Sequence, residues 1–258
     1  MFSLENKIFL VTGATGYLGR EISKGIAAAG GKVLVNARTL EKAESLCNEI
    51  ESLGGIASPA IFDVCDSTSI KEWASQQSEI DGIVNNAYAG EAGTIESATA
   101  AQFLNAYSIA VIAANELFQS VLPLLRKSAK SGNCPSVVNI SSMYGFVSPD
   151  LSIYESKSVA NPPFYGAAKA ALHQWSKYGA VEFGCEGIRF NTVSPGPFPN
   201  TKVQQDNPEF VSKLIAKSPM NRIGKPDEIS GPTVFLLSPA ASYVTGSNIA
   251  VNGGWTAI

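Results

Sequence analysis

Strand-length apolar runs recur along this chain, and a segment of helical period follows most of them. Ile8-Phe9-Leu10-Val11, Val33-Leu34-Val35, Ile83-Val84 and Val137-Val138 have no regular alternation of apolar with polar residues. A strand with one wet face alternates, whereas a strand that is apolar throughout is buried on both faces. Buried strands separated by helices define a mostly parallel sheet with helices on either side, and right-handed crossovers make it doubly wound. The expected fold class is therefore α/β, with strands over 7–11, 32–36, 56–62, 82–85, 136–140, 187–193 and 248–251. Helices are expected over 17–29, 40–53, 99–126, 167–183 and 226–237, with Pro123 bending the third near its end. No linker, repeat or low-complexity tract interrupts this order, so residues 1–258 read as one domain. The polar, proline-containing stretch 195–220 reads as a mobile loop or lid.

Composition allows this fold and narrows the partners. Hydrophobic residues make up 45% of the 258 and charged residues 16%, enough for a sizeable core. A net charge of −3 argues against nucleic acid or an anionic membrane as the main partner. No apolar stretch of membrane-spanning length and no leader-like segment is read. Cys47, Cys65, Cys134 and Cys185 are scattered and read as free thiols of a cytoplasmic protein. One histidine, His173, cannot build a His-rich metal site.

Thr12-Gly13-Ala14-Thr15-Gly16-Tyr17-Leu18-Gly19 closes the first strand and opens the first helix. Glycines there let the backbone turn tightly and approach a pyrophosphate on the positive end of the helix. In this strand–turn–helix setting the motif indicates a dinucleotide. The end of the second strand selects between the two nicotinamide dinucleotides. An acidic residue there would grip the ribose hydroxyls, but this chain has Asn36-Ala37-Arg38-Thr39. Arg38 can stack on adenine and pair with a 2′-phosphate, which favours NADP(H) over NAD(H).

With these residues in view, the chain resembles the short-chain dehydrogenase/reductase family over nearly its whole length. The resemblance rests on ordered blocks: the glycine turn, Phe62-Asp63-Val64, Asn85-Asn86-Ala87, Asn139-Ile140-Ser141-Ser142, Tyr165-Gly166-Ala167-Ala168-Lys169, Asn191 through Pro195-Gly196, and Thr245-Gly246 through Asn252-Gly253-Gly254. It implies an NAD(P)(H)-dependent oxidoreductase that interconverts an alcohol and a carbonyl. On the cofactor side it implies Gly13, Thr15, Gly16, Tyr17 and Leu18 at the pyrophosphate, and Asp63 and Val64 at adenine. Asn86 and Ala87 would line the adenosine ribose. Pro195 and Gly196 would flank the nicotinamide, with Thr201 bonding its amide. Tyr165 and Lys169 would hold the nicotinamide ribose. It also implies a homodimer or homotetramer built through the long helices.

Ser142, Tyr165 and Lys169 are the expected catalytic residues. Four residues apart on a helix, Tyr165 and Lys169 share a face. A phenol titrates near ~10, and a lysine cation beside it favours the phenolate. Ser142 would bond the carbonyl oxygen. Tyr154 with Lys157 mimics the pair, but its spacing is one short and prolines follow.

Four departures stand out. The glycines at 13, 16 and 19 have the spacing of the family's extended branch. An insertion over 151–163, carrying Tyr154, Glu155 and Lys157, separates Ser142 from Tyr165 and is expected to border the active site and shape a polar substrate pocket. Ala110 falls where the family carries a helix asparagine, with Asn105 and Asn115 too far along to replace it. Tyr88 falls where glycine is usual. The mouth, with Tyr88, Ser141, Met143, Tyr144 and Phe198, suits a sugar or other polyol. Residues 142–163 are also similar, more weakly, to oxidoreductases of flagellin and surface-glycan modification. A dinucleotide-binding regulatory or partner subunit with little turnover is the alternative reading.

Overall fold

β1 (Ile8–Val11), β2 (Lys32–Ala37) and β3 (Ile56–Ile61) follow one another outward in register, Val11 beside Val35 and Val35 beside Pro59. β4 (Gly82–Asn85), β5 (Ser136–Ile140), β6 (Arg189–Pro195) and β7 (Asn248–Val251) extend the sheet from the other side of β1. The order is β3-β2-β1-β4-β5-β6-β7, and every pairing is parallel. This computed structural model describes residues 1–257.

The apolar character of the strands has a direct cause. Phe9 and Val11 point into one core with Ile22, Ile26, Leu46 and Leu236, while Leu10 points into a second with Leu117, Phe118, Val121 and Phe190. The first core lies under α1 (Tyr17–Ala28), α2 (Leu40–Ser52) and α9 (Ser230–Leu237). The second lies under α3 (Ser67–Ser75), α5 (Ala113–Lys130) and α6 (Pro163–Phe183).

Several elements differ from the expected ones. α3 was not anticipated; the Asp66 side chain caps it by accepting from Thr68 and Ser69 N–H, and Ile70, Trp73 and Ala74 bury its inner face. The long helix is broken into α4 (Ala100–Tyr107), a π-helical turn (Ser108–Ile112) and α5. Its Thr99–Gln102 capping box is at the expected start. α6 begins four residues early, because Pro163 with its fixed φ occupies the first helical position. The 195–220 stretch is an ordered segment containing α7 (Thr201–Asp206) and α8 (Pro208–Lys217), each started by an asparagine cap, Asn200 and Asn207.

The run Ala100–Lys130 contains a window of mean hydropathy 1.5, long and apolar enough to cross a membrane by length and composition, where none was expected. Leu117, Val121 and Leu125 are fully buried on the sheet, so a core helix meets that test here. The four cysteines are free thiols.

Candidate active site

Strand order reverses direction between β1 and β4, and the carboxyl ends of β1, β2, β4, β5 and β6 open there on a cleft of about 850 Å³. Its floor is the glycine turn. Gly13 has φ +59°, and a Cβ on it would lie 2.9 Å from the Ala87 backbone. A Cβ on Gly19 would lie 2.3 Å from the Gly13 carbonyl. Gly16, by contrast, has ordinary extended geometry as the N-cap of α1. A Cβ on Gly16 would lie 3.2 Å from the same Gly13 carbonyl, so all three glycines keep the turn tight, Gly13 and Gly19 most strictly.

Neighbouring amides lock this turn. Asn36 accepts from Gly13 N–H at 3.2 Å and donates to the Ala60 and Phe62 carbonyls. Asn86 donates to the Thr12 and Gly13 carbonyls at 3.0 and 3.1 Å, while the Thr12 hydroxyl accepts from the Asn86 and Ala87 N–H groups. Arg38 is exposed on the cleft wall. Lys42, in the first turn of α2, lines the same wall and was not singled out by the sequence. Its position four residues after Arg38 was the available signal. Such a cradle, with cations at its far end, fits a phosphorylated dinucleotide.

The other end of the cleft is built where β5 meets α6. A chain of buried hydrogen bonds runs Asn85–Asn139–Ser176, each link 2.7 Å, and ties β4 through β5 to α6. The Ser141 hydroxyl donates to the Lys169 carbonyl at 3.0 Å. Ser142 caps a 3-10 turn (Met143–Gly145), accepting from Tyr144 N–H at 3.1 Å. Gly166 lets α6 approach that turn, since a Cβ there would lie 2.6 Å from the Tyr144 carbonyl. These contacts bring Ser142, Tyr165 and Lys169 onto one wall of the cleft.

Lys169 is buried and donates to the Ile140 carbonyl at 2.7 Å. Burial pulls its ammonium down to about 8. Burial also pushes the Tyr165 phenol up, with the Ser142 hydroxyl opposing. The lysine stands 5.8 Å from the Tyr165 ring centroid, so here desolvation outweighs the help that the spacing was expected to supply. Behind Lys169 lies a cavity of about 10 Å³, walled by Thr12, Asn85, Leu172 and, in the π-helical turn, Ala110. That is about the space of one water.

Gly13, Thr15, Gly16, Tyr17, Leu18, Arg38, Asp63, Val64, Asn86, Ala87, Pro195 and Gly196 all line the cleft. Thr201 does not; it is exposed at the first position of α7, which turns the chain away after Phe198. Asn105 and Ile109 line it unforeseen. None of residues 151–163 lines the cleft, and Leu151–Tyr154 pack on α8 instead. Asp150 pairs with Lys217, the Tyr154 ring lies 5.1 Å from that of Phe210, and Tyr154 shares a 3.3 Å hydrogen bond with Tyr144. Tyr154 and Lys157 take no part in the cleft.

A doubly wound parallel sheet with this cradle and this cleft defines a nicotinamide-dinucleotide oxidoreductase. A family model described as enoyl-(acyl carrier protein) reductase matches residues 13–256. A Pseudomonas aeruginosa rhamnolipids biosynthesis 3-oxoacyl-[acyl-carrier-protein] reductase is 31% identical, with 98% of each chain covered. A 2-dehydro-3-deoxy-D-gluconate 5-dehydrogenase of Pseudoalteromonas atlantica is also 31% identical, over 98% of this chain and 97% of that one. The solved Pseudomonas aeruginosa RhlG/NADP active-site complex superposes with a TM-score of 0.87 at 30% identity, covering 98% of each chain. The chain belongs to the short-chain dehydrogenase/reductase family, and it is an NAD(P)-dependent enzyme that interconverts alcohols and carbonyls.

Proposed function

We propose that this chain is a single-domain, cytoplasmic oxidoreductase that uses NADP(H) in preference to NAD(H) on a sugar-like, polyhydroxylated substrate. The observation that carries the reading is one cleft holding the glycine cradle and Arg38 with Lys42 at one end, and Ser142, Tyr165 and Lys169 at the other. The bound nicotinamide supplies or accepts the hydride. In carbonyl reduction, Tyr165 gives its phenolic proton to the carbonyl oxygen. Ser142 donates a hydrogen bond to that oxygen as negative charge develops. Lys169 favours the tyrosinate left behind, which must then be reprotonated, and the cavity behind the lysine gives that proton an inlet that needs no asparagine at position 110. The sugar-like substrate class rests on the hydroxyl-rich mouth and on the gluconate-type relative. A polyhydroxylated ligand needs many hydrogen-bond partners, and Ser142 and the exposed Asn105 supply side-chain partners at the wall.

Turnover tests this reading. Across a panel of sugars, ketones and aldehydes followed at the nicotinamide absorbance, Tyr165→Phe and Lys169→Met should each cut kcat by about 100-fold or more. Turnover that persists in both variants would overturn the mechanism. Turnover of simple ketones with none of polyols would overturn the substrate class.

A further inference from the structure

Lys169 is charged and buried, yet it has little to hold its charge. An ammonium carries three donors, and only one is satisfied by protein, at the Ile140 carbonyl. Among the described residues no carboxylate lies within ion-pair distance of it. From β4, β5 and the π-helical turn it meets Asn85, Ile140 and Ala110, none of them titratable. The titratable groups facing it are two phenols, both presented through their rings. Its Nζ stands 5.1 Å from the Tyr88 centroid and 5.8 Å from that of Tyr165. The two rings meet edge to face, centroids 4.8 Å apart at 71°.

Tyr88 is thus the nearer aromatic face to the catalytic cation, at a position where glycine is usual in the family. Its hydroxyl is shielded from solvent and has no hydrogen-bond partner. Gly90 leaves room for it, because a Cβ there would lie 2.7 Å from the ring and 2.8 Å from the hydroxyl.

We propose that Tyr88 is a positioning residue of the active site, its ring holding the Lys169 ammonium in the charged form and fixing the Tyr165 phenol edge-on. This rests on the role given above to Lys169. A cation over an aromatic face is stabilised by the ring quadrupole, most strongly when desolvated. Because burial alone draws Lys169 down to about 8, losing the ring would leave a substantial neutral fraction at physiological pH. Neutral Lys169 no longer favours the Tyr165 phenolate, so the ring acts on the reaction through the lysine.

The test is the titration of Lys169 in the intact chain, read from lysine side-chain NMR with 13Cε/15Nζ labelling and assigned by the signal lost in Lys169→Met. Tyr88→Leu and Tyr88→Met remove the ring while keeping enough volume that Lys169 stays buried. Each should lower its midpoint by about half to one pH unit. Tyr88→Phe keeps the ring and should retain the wild-type midpoint. Two ring-free variants guard against one failing to fold. A midpoint that stays or rises in the ring-free variants overturns the proposal, and so does one that falls equally in Tyr88→Phe. This readout needs no substrate. Failure of the catalytic reading appears separately, as turnover surviving in Lys169→Met.

Discussion

In the proposed binding mode, Arg38 and Lys42 would stand at the 2′ position that distinguishes NADP(H) from NAD(H). Both line the cleft wall at the end of β2 and the start of α2, and neither forms an ion pair among the described residues. A guanidinium pairs with a phosphate by charge-assisted hydrogen bonds worth roughly 1.5–3 kcal/mol, or about ten- to over a hundred-fold in affinity. Arg38→Asp should therefore weaken NADPH by about that factor while barely changing NADH, as measured by fluorescence titration of each. Lys42→Ala should weaken NADPH by a smaller factor, since a lysine acts as a point charge. Equal losses for the two dinucleotides in Arg38→Asp would remove the basis for an NADP(H) preference. At this scale most of the site was legible. Tyr165 and Lys169 were readable only because the ordered blocks of the family resemblance surround their helical spacing, and Arg38 from its place after a strand. Lys42 and Ser176 were not singled out, Ser176 because its partner Asn139 lies 37 residues away.

The insertion and the α7–α8 segment are held to each other more than to the cleft. Asp150–Lys217 and Tyr154–Phe210 are the two clasps. The Lys217 ammonium holds the Asp150 carboxyl well below the usual carboxylate range. The pair is therefore intact at neutral and mildly acid pH and weakens only as pH falls through that depressed value. Being exposed, it is the weaker clasp, and the aromatic pair is the stronger. Tyr154→Ala should accelerate amide exchange in both 151–159 and 208–217 by about two- to ten-fold, whereas Asp150→Ala should change it less. Acceleration confined to 151–159 would show that the two segments move independently. Elements of this kind were the least legible. β1, β2, β4 and β5 could be read because burial on both faces fills them with apolar runs, whereas β3 and β7 are partly exposed edge strands and β6 is buried but polar. α7 and α8 were hidden among polar residues, although Asn200 and Asn207 marked their starts. α3 had a clear cap in Asp66 and an apolar face that was overlooked. The π-helical turn at Ser108–Ile112 has no distinctive sequence signature, because it depends on packing around Ala110 and Val111.

On the whole molecule, the side opposite the sheet from α1 and α2 carries apolar side chains that the fold does not cover. On α4 and the π-helical turn, Phe103, Leu104, Tyr107 and Ile112 are 41–69% exposed; on the neighbouring α6, Tyr178 and Val181 are 68% and 86% exposed. Single exposed apolar residues are ordinary, but two adjacent helices carrying them form a patch of the kind that mediates association. Closed two-fold contacts are the commonest way for such a patch to be buried, because the same surface serves both partners. The chain should accordingly sediment as a dimer or tetramer of its 27.1 kDa mass. Leu104→Glu with Val181→Glu places charge on both helices without touching Tyr165, Lys169 or the glycine turn. At micromolar concentration the double variant should sediment as a single chain and keep the wild-type circular dichroism. The π-helical turn beside the Lys169 cavity belongs to the same helical face, so association would brace the wall of that cavity as well. Dissociation should then lower kcat more than it raises KM. A wild-type chain that sediments at 27.1 kDa would mean that this face is not used between copies. A double variant that stays associated would place the interface elsewhere.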